Sequence, residues 1–107
     1  MARGRHGLTS EEKNRNRVVG GHLKELREKA GINQKQLADL LGIGYYTFVS
    51  QVENGYAKLP ATHLTAWAAG VKADPEELSM FLIQHYLPTY YLCLRDAFRI
   101  VREARGR

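Results

Sequence analysis

The sequence has little of several features that would point to other classes of protein. Its one cysteine, Cys93, cannot form a disulfide within the chain, which favours a reducing, cytoplasmic setting. No apolar run approaches the roughly 20 residues needed to span a bilayer, and the basic N-terminal stretch lacks the apolar segment of a signal peptide. The four histidines show no metal-ligand spacing, and no nucleophile–base pair stands out. We therefore expect a protein that is not an enzyme and that has no metal, no cofactor and no membrane partner.

Acidic residues are scarce at the two ends of the chain. The 107 residues carry a formal net charge of +5. Residues 1–22 hold five Lys or Arg against two Glu, and residues 88–107 hold five Arg against one Asp and one Glu, whereas residues 23–87 hold six basic against seven acidic residues. The basic ends suit a polyanionic partner, nucleic acid before an anionic membrane surface. The nearly neutral middle gives no such signal.

Helical periodicity runs through the sequence, without strand-like alternation. Thr9 and Glu12 form a T-x-x-E capping box that begins a helix. Gly20 and Gly21 weaken its middle and can divide it, and Gly31 ends it. Further helices are expected after Asn33, from about Tyr45 to Asn54, after Pro60, after Asp74-Pro75 and after Pro88. The sequence thus predicts an all-α fold with a basic arm and first helical turns at 1–16, a compact domain at 17–86 and a C-terminal helix at 87–107.

The segment GIGYYTFVSQVENG, residues 42–55, has two distinct faces when residues 45–54 are placed on a helical wheel. A polar arc of about 140° carries the short or planar side chains Tyr46, Thr47, Ser50, Gln51 and Asn54. The opposite arc carries Tyr45, Phe48, Val49 and Val52. Side chains of the polar type suit close approach to base edges and phosphates, and Gln51 can bond adenine in a bidentate way. Tyr45 has two interpretations, a core aromatic or a DNA contact.

Three motifs occur in order: L-x-x-L-R at 23–27, G-x-x-Q-x-x-L-A at 31–38 and V-x-x-V-E-N-G at 49–55. Together they resemble the lambda-repressor-like, or XRE-type, helix-turn-helix family over about residues 17–86. The resemblance implies a five-helix bundle, here with an extra C-terminal helix, that binds double-stranded DNA and regulates transcription. In this family, the helix that corresponds to residues 45–54 of this sequence enters the major groove.

The resemblance also implies roles for individual positions. Gln34 would bond a phosphate and buttress the recognition helix, Asn33 would cap a helix that presents N–H groups to a phosphate, and Arg27 and Glu53 would form an internal ion pair. The remaining expected DNA-backbone contacts are Lys35, Tyr56 and Lys58, with simple solvent exposure as the alternative.

One departure from the family concerns length, because Gly42 to Gly55 spans 14 residues where the common pattern has 13. We place the extra residue in the turn near Gly44. An insertion inside the helix would shift the base-facing set by one. At the N-terminus, Arg3 and Arg5 can enter a minor groove or belong to a solvated tail.

We expect a cytoplasmic, nucleoid-associated repressor acting as a homodimer on an inverted repeat. The expected dimer surface comprises Met80, Ile83, Tyr90, Leu94, Phe98 and Val101. The alternative for the C-terminal helix is that it folds back on its own domain. Two other functions stay open: an antitoxin that binds a protein partner and autoregulates its operon, and a membrane-surface or RNA binder that uses the Arg-rich ends.

Overall fold

A computed structural model describes residues 8–106 of the chain. The described residues form six α-helices and no strand, which confirms the predicted all-α fold. A short 3₁₀ helix, Ala61–His63, precedes the fourth α-helix. The α-helices are α1 (Ser10–Lys29), α2 (Gln34–Leu40), α3 (Thr47–Glu53), α4 (Leu64–Gly70), α5 (Pro75–Tyr86) and α6 (Pro88–Arg105).

Local capping explains where three of these helices begin. At the start of α1, the Thr9 hydroxyl oxygen accepts a hydrogen bond from the Glu12 N–H at 3.1 Å, and the Glu12 carboxylate accepts one from the Thr9 N–H at 2.9 Å. Asn33 caps α2 and Asp74 caps α5, where its carboxylate accepts from the Glu77 N–H at 2.9 Å. These caps satisfy N–H groups that have no partner inside a helix.

Helix α1 runs without a break across Gly20 and Gly21, so the expectation that the two glycines divide it is wrong. Gly20 is buried against α3, and a Cβ there would overlap the carbonyl oxygens of Val52 and Glu53. A Cβ at Gly21 would meet nothing. Gly20 therefore lets the backbones of α1 and α3 approach closely, and this packing outweighs the weak helix propensity of the pair.

The core lies between α1, α2, α3, α4 and α5, around the fully buried Trp67. Leu23 of α1, Leu37 of α2 and Val49 of α3 are also completely buried in it. Helix α5 packs against α1 and α4 and also against α6, as expected for a helix that is apolar on two sides. Helix α6 folds back along α5 but buries none of its residues.

Candidate nucleic-acid interface

The polar arc of α3 lies on the molecular surface. Thr47, Gln51 and Asn54 are exposed and Ser50 is half-buried, whereas Val49 and Val52 on the other side are fully buried. The Asn54 side-chain N–H₂ donates to the Ser50 hydroxyl oxygen over 3.2 Å. This bond leaves the Asn54 carbonyl oxygen and the Ser50 hydroxyl proton free to bond a ligand. The arc is neither turned into the core nor occupied by other parts of the described chain.

Both tyrosines of the quoted segment lie before α3, because the helix begins at Thr47. Tyr45 is 66% exposed and Tyr46, at the N-cap position, is 51% exposed. The interpretation of Tyr45 as a core aromatic is therefore wrong. The helical wheel assigned it to the apolar side, but residues 41–46 form the turn, where helical spacing no longer determines direction. Helix α3 itself is regular, so the long connection is taken up by this turn.

A buried polar network holds α3 in place. Arg27 of α1 donates to both carboxylate oxygens of Glu53, from Nε to Oε2 over 2.7 Å and from Nη2 to Oε1 over 3.1 Å. Its third group, Nη1, donates to the Ile32 carbonyl over 2.9 Å. Both ionic side chains are almost completely buried, and hydrogen bonding to Glu53 raises the pKa of Arg27. The bidentate geometry of this pair gives direction as well as attraction.

Gln34 connects the network to α2. Its side-chain N–H₂ donates to Glu53 Oε1 over 3.0 Å, so one carboxylate joins α1, α2 and α3. An amide nitrogen has two hydrogens, and the second one is free to bond a phosphate. The structure therefore brings Gln34, Arg27 and Glu53 together beside the exposed arc of α3.

Asn33 caps α2, as expected. Asn33 accepts from the Gln36 N–H over 2.7 Å, and Gln36 in turn accepts from the Asn33 N–H over 2.8 Å. The Asn33 N–H is thus already used, and the N–H groups of the first turn that lack a helical partner belong to Gln34 and Lys35. Lys35 is exposed, with its Nζ 3.7 Å from the Asp39 carboxylate. Exposed pairs at this spacing are weak.

The loop after α3 presents the other expected contacts. Tyr56 is 81% exposed and Lys58 is exposed. Tyr86 of α5 supports this loop, because its hydroxyl accepts a hydrogen bond from the Leu59 N–H over 2.9 Å and its ring lies 5.5 Å from the Lys58 Nζ. Burial raises the pKa of Tyr86. Sequence reasoning missed this tyrosine, since only the fold brings the two segments together.

Two basic residues beside α3 were also missed, Lys13 and Arg17 of α1. They are exposed and line one cleft with Asn54 and Tyr56. Their i, i+4 spacing is readable in the sequence, but the neighbouring helix end is not. Arg3 and Arg5 lie outside the described residues.

Within residues 8–106, no group of three His, Cys, Asp or Glu side chains is placed to hold a metal ion. No helix in that range is long and apolar enough to cross a membrane. The cysteine is exposed on α6.

Comparison with known proteins adds one finding to this geometry. The sequence model of a family described as helix-turn-helix matches residues 23–78, slightly more than half of the chain. No curated protein matches the sequence. The match begins at Leu23 and ends at Leu78, so it contains α2, α3, α4 and the supporting network, and leaves out the first half of α1 and all of α6. The chain belongs to the lambda-repressor-like, XRE-type helix-turn-helix family of DNA-binding regulators.

Proposed function

We propose that the protein is a sequence-specific transcriptional repressor that reads double-stranded DNA through α3. The observation that supports this best is an exposed polar helix face on a helix whose other side is fixed by the buried Arg27–Glu53 pair. A helix fits the major groove, where Gln51 can bond adenine through two hydrogen bonds. Thr47 and Ser50 can reach neighbouring base edges or phosphates. Repression then follows because an occupied promoter excludes polymerase.

A second group of residues sets the position of α3 on the duplex without reading its sequence. Gln34 and Lys35 stand at the start of α2, and Tyr56 and Lys58 follow α3. These two pairs of residues therefore lie at opposite ends of the helix-turn-helix unit along the chain. Phosphate contacts at both would hold the helix in register along the groove.

Selection of bound sequences from a pool of random duplexes tests this role. We expect the wild-type protein to enrich one motif. Gln51→Ala should lose the preference at the one or two base pairs that it reads, whereas Lys58→Ala should weaken binding to all sequences about equally. An unenriched pool would overturn the proposal and would favour a membrane-surface or RNA-binding role that depends on charge alone.

We further propose that the repressor acts as a homodimer on an inverted repeat. One short recognition helix contacts few base pairs, and useful discrimination among genomic competitors needs a second copy. Three of the six residues of the expected surface are exposed, namely Tyr90, Phe98 and Val101. Met80, Ile83 and Leu94 are half-buried.

The apolar side of α6 has two edges, one that contacts α5 and one that is uncovered. Tyr91 and Phe98 line a cleft together with Met80 and Phe81 of α5, so one edge of the apolar side meets the protein's own domain. The other edge includes Tyr90 and Ile100, and both side chains are exposed. Val101 lies between the two edges, because it is exposed but lines a cleft with Phe98 and with Glu76 of α5. An 18-residue amphipathic helix with one edge of its apolar side uncovered is suited to pairing with a second copy.

Light scattering on a matched pair of variants tests the dimer. Val101 and Leu92 are 46% and 48% exposed, and they point to opposite sides of α6, about 180° apart at 100° per residue. Val101→Glu should produce monomer at micromolar concentration, whereas Leu92→Glu should leave the dimer intact. A wild-type protein that stays monomeric with and without DNA would contradict the proposal. A stable complex with a small protein encoded beside it would instead support the antitoxin role.

A further inference from the structure

Helix α1 extends well beyond the helix-turn-helix unit that the family comparison defines. The match begins at Leu23, whereas α1 begins at Ser10. The additional turns run past the end of α3 and carry Lys13 and Arg17 one helical turn apart. Their position beside α3 depends on how α1 packs against the end of that helix.

The contact between α1 and the end of α3 is made backbone to backbone. Gly55 has a φ of +83°, and a Cβ at this residue would come within 2.9 Å of the Arg17 backbone nitrogen. One turn further along α1, Gly20 lies directly against the carbonyl groups of Val52 and Glu53. With two glycines at the interface, the backbone of Arg17 has little freedom to shift relative to α3.

The side chains above this contact form a cleft of about 440 Å³. One wall is basic, from Lys13 and Arg17, and the other is the end of the recognition helix with Asn54 and Tyr56. Asn54 belongs to both the cleft and the polar arc of α3. A duplex lying on the arc would therefore continue across the mouth of the cleft.

The two cations have no competing internal partner within residues 8–106, since neither takes part in any ion pair there. The nearest carboxylate along the helix, Glu12, is committed to the capping box with Thr9. Arg17 also makes no side-chain hydrogen bond to the carbonyl groups at the end of α3 among the described residues. A positively charged pair on a helix whose backbone is fixed against the end of α3, with no internal counter-charge, is suited to an external anion.

We propose that Lys13 and Arg17 form a second phosphate track, which binds the DNA backbone next to the groove that α3 occupies. This inference rests on the proposed function, because it presumes a duplex lying on α3. The track adds affinity and extends the contacted backbone beyond the unit formed by α2 and α3. It adds no base preference, since Lys and Arg at phosphates position a protein without reading sequence.

The test compares two charge-matched double variants. Lys13→Gln/Arg17→Gln removes the track. Lys29→Gln/Lys72→Gln removes two exposed charges elsewhere: Lys72 lines a different cleft with His22 and Phe81, and Lys29 lies about 160° around α1 from Lys13. Circular dichroism and thermal melting of both variants establish that each is folded.

Binding to the duplex selected by the wild-type protein is then measured over a range of salt concentrations. For each protomer bound, the track variant should make the negative slope of log K against log salt shallower by about 2 and weaken binding roughly 30-fold near physiological salt. The control variant should keep the wild-type slope, and both should keep the wild-type sequence preference. Ethylation of single phosphates should interfere with wild-type binding at two positions in each half-site where the track variant is insensitive.

The outcomes separate the two proposals. Equal slopes for the track and control variants would overturn the phosphate track while leaving DNA reading by α3 intact. A wild-type protein that selects no motif would overturn sequence-specific regulation, and the slopes on an arbitrary duplex would still decide the track. Loss of sequence preference in the track variant would show that Lys13 or Arg17 reads bases, which contradicts the assignment to phosphates.

Discussion

Helices α3 and α6 both present a large exposed face, but their supports differ. Of the seven residues of α3, three are buried, Val49, Val52 and Glu53, whereas none of the 18 residues of α6 is buried. The exposed face of α3 is polar and the uncovered side of α6 is apolar. A polar face on a firmly held helix is stable in water, so it can remain exposed when no ligand is bound. An apolar face on a helix that buries none of its residues gains stability when another surface covers it.

The largest expected effect comes from breaking the support of α3. Glu53→Ala leaves the Arg27 guanidinium buried without its carboxylate, and it also removes the acceptor of Gln34. We expect a loss of about 3–5 kcal/mol in the free energy of unfolding. Urea denaturation followed by circular dichroism measures it.

The exposed pair between Lys35 and Asp39 provides the control for that experiment. Lys35→Ala removes an ion pair that is open to solvent on both sides and should change the free energy of unfolding by less than about 0.5 kcal/mol. Similar losses for the two variants would contradict the view that burial of the Arg27–Glu53 pair makes it structural.

The next effect distinguishes two adjacent glycines of α1. Gly20→Ala should cost about 1–3 kcal/mol, because the added methyl group overlaps backbone carbonyls of α3 that cannot rotate away. Gly21→Ala should stabilise the protein by about 0.5–1 kcal/mol, because its Cβ points into open space and alanine favours the helix. Thermal melting of both variants gives the comparison, and changes of the same sign would disprove the close contact between α1 and α3.

A smaller effect concerns local opening of α6, which has no buried residue. At low protein concentration its amides should exchange with deuterium at least about tenfold faster than those in the buried part of α1, because little packing opposes local opening. Raising the concentration should slow exchange in α6 and leave α1 unchanged, since the proposed dimer would cover the apolar side. Mass spectrometry of peptides from the two helices provides the rates. Exchange in α6 that is as slow as in α1 and independent of concentration would contradict the proposed surface.

The smallest effect is on the pH dependence of the first turn of α1. The backbone hydrogen bond from Thr9 lowers the pKa of Glu12 below its ordinary value of 4.5. A carboxylate with a lowered folded-state pKa stabilises the fold above pH 4.5, and this contribution is lost as the pH falls through the folded-state pKa. Glu12→Ala should therefore melt slightly below the wild type at pH 7 and alongside it near pH 2. A difference that persists at low pH would place the effect outside the capping box.

The sequence predicts features of the fold that depend on neighbours along the chain. The cap at Thr9 and Glu12, the end of α1 at Gly31 and the start of α5 at Asp74 are local, and each occurs where expected. The course of α1 through Gly20 was mispredicted, because the same dipeptide is unfavourable in an isolated helix and necessary at a close crossing.

In the candidate site, too, features set by neighbours along the chain are predictable from the sequence, whereas features set by long-range contacts are not. The polar arc of α3 follows from helical spacing, and the pairing of Arg27 with Glu53 was expected only through the family resemblance. Tyr45 was assigned by extending the helical wheel two residues too far towards the N-terminus. Lys13, Arg17 and Tyr86 could not be assigned, because their relevance depends on contacts between residues far apart in the chain. The duplex that α3 would read depends on hydrogen bonds to the DNA, and no pattern within the sequence encodes it.

The most direct test of reading by α3 is the ratio of affinities for the selected duplex and for a scrambled duplex of equal length. Gln51→Ala should lower this ratio roughly 5- to 150-fold for each half-site, which corresponds to about 1–3 kcal/mol, because each protomer loses one bidentate base contact. Gln84→Ala, which truncates an exposed glutamine on α5, should leave the ratio unchanged. An unchanged ratio in Gln51→Ala, or an equal fall in both variants, would contradict the assignment of base reading to the exposed face of α3.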